Sequence, residues 1–429
     1  MKKEVYDLFV NLLKEELVPA MGCTEPIAIA YCAAKAVEVL GEFPDRMIVS
    51  SSGNMIKNVS GVTVPNSDGL KGIDVAAVLG VVAGNANKKL EVISQVTPQD
   101  IARAKKLLEN HNFCQTKLIK DVDNLFIIVE VFAKGNSALV EIQEKHTNIS
   151  RIEKNGQVIF AKDQNTNEVK KAKLDLTPMS VKSIIEFADA LDINDLKETL
   201  ERQITCNSAI SQEGLNHNWG VKVGQTILKY AGSNPSAHEL ACAAAAAGSD
   251  ARMSGCPLPV IINSGSGNQG ITITMPVLVY AEKLQVSEEV KLKALALANL
   301  IAIHQKRFIG DLSAYCGTVC AATGAACGIA YMNNDGYDVI AGTITNSICT
   351  IGGMVCDGAK PSCASKISAA VDNAIRAYEI KKNGGEFQEG EGLVKENVEQ
   401  TIRAIGRMAL NGLQAADTEI LNIMLDNKC

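Results

Sequence analysis

Aromatic side chains make up only 4% of this 429-residue chain, although hydrophobic residues reach 47%. A core so short of rings must be filled by Ala, Val, Ile and Leu, which favours helices that approach one another closely. A basic stripe is also missing and the formal charge is −6, so nucleic acid is excluded as an expected partner. The opening MKKEVYDLFVNLLKEEL carries acids through its apolar part and has no small-residue cleavage site, which argues against a secretory signal and for a cytoplasmic protein. Residues 312–334 lack any charge over a length that could cross a bilayer. They are nevertheless rich in Gly, Thr, Ser and Asn, so a buried helix is expected there and no membrane partner. The five histidines show no zinc spacing, and the glycines fit neither the Rossmann nor the Walker pattern.

What remains is a chain long enough for two or three domains. Apolar residues at helical spacing predict a helix over Val5–Leu17, a break at Val18–Gly22, and a second helix starting near Thr24, taken as its N-cap. Met47–Ser52 reads as a strand followed by a polar, Gly-containing stretch to Val59, with helices at residues 73–85 and 98–110. From Lys117 the period changes to two, giving antiparallel strands at residues 125–132, 138–143, 149–154 and 158–161, with Asn155-Gly156 as a hairpin turn. Helices return at residues 176–190 and 194–202, and from Ser208 onward nearly everything is helical and small-residue rich, above all HELACAAAAAGSDARMSG, which should lie against a neighbouring backbone or a cofactor. The expected fold is therefore α+β, with three parts. Residues 1–116 form an N-terminal helical and strand part, residues 117–175 a β-rich antiparallel module, and residues 176–429 a large helical domain.

Thirteen cysteines, an odd number in a reducing compartment, read as metal ligands, reactive thiols or core residues and not as a disulfide framework. Three stand out between Asp311 and Lys366. Cys316, Cys356 and Cys363, separated by 40 and 7 residues, can converge on one inorganic cluster, and the Gly and Ala around them let the backbone come close. Three thiolates leave one iron of a four-iron cluster open to act as a Lewis acid on substrate. The alternative is that they are small buried apolar residues. Cys320 and Cys327 follow Cys316 at helical spacing and read as core packing. Cys23 stands just ahead of a helix N-terminus, a place that lowers a thiol pKa, which makes it a candidate base or nucleophile; its alternative is a small residue packed in a turn.

Two polar stretches are suited to a small carboxylate. One holds Asn54 and Asn58; the other, from Asn263 to Gly270, presents Ser264, Ser266 and Asn268 on a loop whose N–H groups can form an anion nest. Either can also be ordinary turn structure.

MGCTEP near the N-terminus, SGN followed by KN, the NSGSGNQG loop and the Cys316/Cys356/Cys363 set together resemble the L-cysteine desulfidase family. That family is related to the catalytic α subunit of bacterial iron-sulfur L-serine dehydratases. The resemblance covers essentially the whole chain, and no separate β-subunit-type domain is evident. It implies a 4Fe-4S cluster with one iron not bound by a protein cysteine, and no pyridoxal phosphate. Matched motif by motif, it implies Cys316, Cys356 and Cys363 as cluster ligands and Cys23 as the base. The implied reaction converts L-cysteine to pyruvate, ammonia and hydrogen sulfide. An L-serine dehydratase with the same cluster is the first alternative, and a non-catalytic iron-sulfur sensor the second. The expected partner is a small amino-acid substrate, and the exposed small-residue helices suit a homodimer. The final residue, Cys429, resembles a tail cysteine that tucks onto the open iron; otherwise it belongs to an exposed tail.

Overall fold

The computed structural model of the protein describes residues 1–162, 174–310 and 312–426. Cys429 and Asp311 lie outside the described residues, as does the end of the expected β-rich module.

The N-terminal part runs α1 (Lys3–Glu16), β1 (Pro19–Met21), α2 (Thr24–Leu40), β2 (Arg46–Ser52), α3 (Gly53–Val59), α4 (Ile73–Ala83) and α5 (Pro98–Leu108). Cys23, with extended backbone, occupies the N-cap of α2 in place of Thr24, and α2 ends on Gly41, whose φ of 86° places it in the left-handed region that terminates helices. The polar stretch after β2 is a helix and not a loop. Ser52 caps it by accepting from the Met55 N–H, which lets Gly53 enter helical geometry directly after a strand.

Strands β3 (Cys114–Ile119), β4 (Phe126–Ala133), β5 (Asn136–Gln143), β6 (Ile149–Lys154) and β7 (Gln157–Ala161) join β2 in one sheet of order β3-β2-β4-β5-β6-β7. Its pairs are antiparallel except β2 with β3, which are parallel because α3, α4 and α5 form the crossover between them. The residue 116/117 boundary thus falls within β3, and β2 shares the sheet with the strands that follow it. Alternate residues of β4, such as Ile127, Val129 and Val131, are fully buried, and α2 packs against β4 and β5.

The remainder is helical: α6 (Val181–Ala190), α7 (Lys197–Asn216), α8 (Val223–Ala231), α9 (Ala237–Met253), then a short strand β8 (Pro259–Ile261), α10 (Gly267–Leu284), α11 (Glu288–Lys306), α12 (Thr318–Met332), α13 (Tyr337–Ile351), α14 (Cys363–Lys382), α15 (Val398–Arg407) and α16 (Gln414–Asp426). A capping box between Ser236 and Glu239 starts α9. Its alanine-rich centre is completely buried against α7, α8, α10 and α14. The approach is so close that a Cβ on Gly214 of α7 would stand 1.9 Å from the Ala247 carbonyl oxygen. The predicted backbone contact of the small-residue stretch is realised there.

Helix α12 begins at Thr318, six residues later than the charge-free run suggests. Cys316 therefore precedes the helix and does not share a face with Cys320 and Cys327, which are 1% and 0% exposed in the core. Among the described residues no helix is long and apolar enough to cross a membrane.

Candidate active site

The two-stranded β1/β8 pairing organises the site. It registers Pro19 with Ile261 and Met21 with Pro259. The turn carrying Cys23 is thereby tied to the one that follows β8. Thr24 at the start of α2 donates its hydroxyl to the Gly265 carbonyl at 2.9 Å and closes the junction. Residues 263–266 make a tight turn in which Ser264 and Gly265 have φ of 48° and 75°. Its core end is pinned by Asn263, whose amide donates to Asn299 Oδ1 at 2.9 Å.

Glu25, one position into α2 beyond Thr24, is the most heavily bonded group here. Its Oε2 accepts from the Cys23 thiol at 2.9 Å and from the Thr24 hydroxyl at 3.1 Å, while Oε1 accepts from the Asn58 amide at 3.1 Å. Burial pushes the Glu25 carboxyl upward, but His146, the Cys23 thiol and Arg252 outweigh it and hold it below its ordinary value. For Cys23 the balance runs the other way. Burial and the Glu25 charge push the thiol well above its ordinary value, with Arg252 opposing them. The lowered thiol expected from a helix N-terminus is thus reversed, because desolvation and an adjacent carboxylate exceed the helix dipole.

Cys316 and Cys356 are held by a backbone bridge. The Cys316 N–H donates to the Met354 carbonyl at 2.9 Å and the Cys356 N–H to the Ala314 carbonyl at 2.6 Å. The Cys316 sulfur meets the Thr318 hydroxyl at 2.9 Å. The proximity of the Cys316 thiol, with Lys57 and Lys366 nearby, draws Cys356 down to about 6 against its burial, while Cys356 and burial push Cys316 up. Cys363 begins α14, and its thiol reaches the Gly358 carbonyl at 3.7 Å. The loop between Cys356 and Cys363 lies directly on α3. Gly358 has φ of 94°, and a Cβ there would meet the Lys57 carbonyl oxygen at 2.3 Å, so only glycine fits. Beneath the loop, the almost fully buried Lys57 is ion-paired with Asp417 of α16.

Cys23 belongs with this group in space. It forms a small buried cluster with Val62 and Met253, against which Ala359 and Cys363 pack. Cys23 and Cys363, 340 positions apart in sequence, therefore meet at one place, and four thiols are collected around the starts of α2, α12 and α14. All twelve described cysteines are free. The Cys316, Cys356 and Cys363 sulfurs do not all lie within 4.8 Å of one another, whereas thiolates on a single tetrahedral zinc stand about 3.8 Å apart. Three convergent thiols, a glycine that admits backbone approach and a nearby lysine fit an anionic multi-iron group better than a lone ion. A separate set on α9 and α14, His238, Cys242 and Asp372, does come within 4.8 Å. There Asp372 is already paired with Arg376 at 2.9 Å.

A cavity of ≈ 170 Å³ opens beside the cradle, and its wall includes Glu25, His146, Ser264, Ser266 and Gln269. Of the expected substrate contacts, Ser264 and Ser266 line this cavity, Asn58 holds Glu25, and Asn268 is buried with its Oδ1 unbonded. Asn54 is directed elsewhere: its amide donates to Asn124 Oδ1 at 3.0 Å, and Asn124 in turn donates to the Leu312 carbonyl. Glu25, His146, Gln269 and Arg252 escaped sequence reasoning. Glu25, inside MGCTEP, and Gln269, inside NSGSGNQG, stood in motifs with a visible chemical signal, but Glu25 there suited the helix dipole alone and Gln269 was passed over for its neighbours.

A buried thiol set spanning several helix starts, next to a polar cavity, has the organisation of an enzyme site and not of ordinary core. The model of the serine dehydratase alpha chain family matches residues 87–422, and the chain belongs to that family. Relatives align along its whole length. It is 48% identical to a UPF0597 protein of Lachnoclostridium phytofermentans, over 98% of this chain and 100% of that one. It is also 48% identical to UPF0597 proteins of Desulfitobacterium hafniense, over 99% and 97% of the two chains, and of Finegoldia magna, over 97% and 99%.

Proposed function

We propose that the protein is an L-cysteine desulfidase, a carbon-sulfur lyase that eliminates sulfide from L-cysteine at a 4Fe-4S cluster. The observation that carries this reading is the meeting of Cys23 with Cys363 in one buried cluster beside a polar cavity. Cys316, Cys356 and Cys363 would hold the cluster. When bound, it supplies a Lewis-acidic iron with no cysteine ligand, able to neutralise negative charge as it develops on substrate.

The chain's own residues then have to move one proton. L-cysteine must lose its weakly acidic α-proton and its β-thiol. The Cys23 thiol is hydrogen-bonded to Glu25 at 2.9 Å. Passing that proton to Glu25 runs uphill, because burial holds the thiol high while the carboxyl is held low; it leaves a thiolate, whose charge Arg252 offsets, to accept the substrate α-proton. The C–S electron pair leaves with hydrosulfide, the proton on Glu25 converts this to hydrogen sulfide, and Cys23 and Glu25 return to their starting states. The aminoacrylate released takes up water to give pyruvate and ammonia. Asn58 and Thr24 keep Glu25 in place throughout.

Membership in the serine dehydratase alpha chain family favours a second reading, an L-serine dehydratase in which water leaves in place of sulfide. A sensor role has less support, since the cavity beside the thiols suits a small molecule. The division of roles is tested with Cys23→Ala. Sulfide release should be abolished while the visible absorption and iron content of the reconstituted protein stay at wild-type levels. Loss of the iron along with activity would make Cys23 part of the cradle and overturn its role as base.

A further inference from the structure

Arg252 is a buried charged side chain that no described residue contacts directly through an ion pair or hydrogen bond, although the Glu25 carboxylate acts on its charge from nearby. It lies in the last turn of α9 and is 2% exposed. Its Nε is buried without a partner. Burying a guanidinium in this state costs several kcal/mol, so its retention calls for an anion that arrives later. Cys23, Glu25 and Cys363 are near enough to act on its charge.

Its position is equally specific. A Cβ on Gly267 would stand 2.5 Å from Arg252 Nε and 2.8 Å from Cζ, so the guanidinium lies flat on the first residue of α10. That 18-residue helix begins at Ser266 with no side-chain cap, leaving its first N–H groups available to a ligand. Ser266 and Gln269 of the same turn line the cavity. The planar fork of donors therefore stands against the uncapped helix start, whose neighbouring Ser266 and Gln269 reach the cavity wall. A carboxylate is the anion whose two oxygens match both.

We propose that Arg252 and the N-terminal turn of α10 anchor the α-carboxylate of the amino-acid substrate. This rests on the elimination reading and deepens it. A carboxylate fixed there points the substrate Cα toward Cys23 and selects α-amino acids over simple amines or thiols. The competing role for Arg252 is to balance the negative charge of the cluster thiolates.

The test uses the reconstituted protein and L-alanine, which keeps the carboxylate and amine but has no leaving group, alongside ethylamine, which lacks the carboxylate. Calorimetry on the wild type should show L-alanine binding at least tenfold more tightly than ethylamine. Arg252→Gln should weaken L-alanine by about 100-fold, the scale of a lost charged hydrogen-bond pair. Ethylamine binding and iron content should not change, and Arg252→Lys should recover part of the loss. Equal binding of the two ligands to the wild type overturns the proposal without requiring any variant to fold. So does an Arg252→Gln protein that loses iron while its remaining loaded fraction binds L-alanine normally, which would assign Arg252 to the cluster. If L-alanine binding depends on Arg252 but neither L-cysteine nor L-serine is turned over, the anchor stands and the elimination reading fails.

Discussion

Helix α16 packs on α3, so the Lys57–Asp417 pair makes a sharp test of how the cradle is braced. Lys57 is 1% exposed and Asp417 16%. Asp417→Ala removes the carboxylate and leaves the ammonium buried without its counterion. Breaking a buried pair in this way costs roughly 3–5 kcal/mol, and the partial exposure of Asp417 puts this case near about 3 kcal/mol. Alanine is the better helix former, which offsets the roughly 0.3–1 kcal/mol lost with a first-turn carboxylate, so most of the loss reports on the ion pair. Because α16 packs mainly on α3 and the turn before it, the cost should appear as local undocking. At 1.36 kcal/mol per factor of ten, about 3 kcal/mol is on the order of a 150-fold rise in the open fraction. Hydrogen exchange should therefore accelerate by about that factor in residues 414–426 and more modestly in residues 53–59, while α11 and α12 keep wild-type protection. The double change Lys57→Met with Asp417→Leu should restore most of the protection. Unchanged exchange in α16 of Asp417→Ala would show that the pair does not hold the helix and would refute the reasoning.

Two further outcomes follow from other parts of the structure. Cys363→Ser should fold normally, because serine is well tolerated at a helix start, yet retain less than half of the wild-type iron and acid-labile sulfide after desalting; full retention would remove Cys363 from the ligand set. Asp250 is fully buried, its Oδ2 accepts from the Gly224 N–H at 3.1 Å, and burial raises its carboxyl from 3.8 to about 6 despite that bond. The native state therefore holds this proton more tightly than the unfolded chain. The resulting stabilisation is complete below about pH 4 and is lost as pH rises through 6. Asn does not titrate, so the melting temperature of Asp250→Asn minus that of the wild type should increase between about pH 4 and 6 and level off above about pH 7, and a constant difference would contradict the assignment.

Much of this architecture is legible in the residues because it is written locally. The apolar spacing of α1 and α5, the period-two strands and the Asn155-Gly156 turn each carry their own signal, and the structure follows them. Helix α3 was hidden because its polar composition resembles a turn, and only the Ser52 cap commits it to helix. Strand β3 was hidden because it is an edge strand with mostly exposed residues, so no alternation marks it. The site divides in the same way. The cysteines announce themselves by type and setting. Glu25, Arg252 and His146 acquire meaning only when the β1/β8 pairing and the long helices assemble them, and no local pattern encodes that. The shift on Cys23 shows the cost of local reasoning most plainly: the helix-end argument is sound in isolation, but burial beside Glu25 reverses its sign.

The central claim is the reaction, and the most direct measurement is turnover by anaerobically reconstituted protein given L-cysteine or L-serine in parallel, with pyruvate and sulfide followed together. The account predicts pyruvate and sulfide in equal amounts from L-cysteine, with kcat/KM at least tenfold above that for L-serine. Pyruvate from L-serine with none from L-cysteine would contradict it and make the protein a serine dehydratase in activity as well as in family.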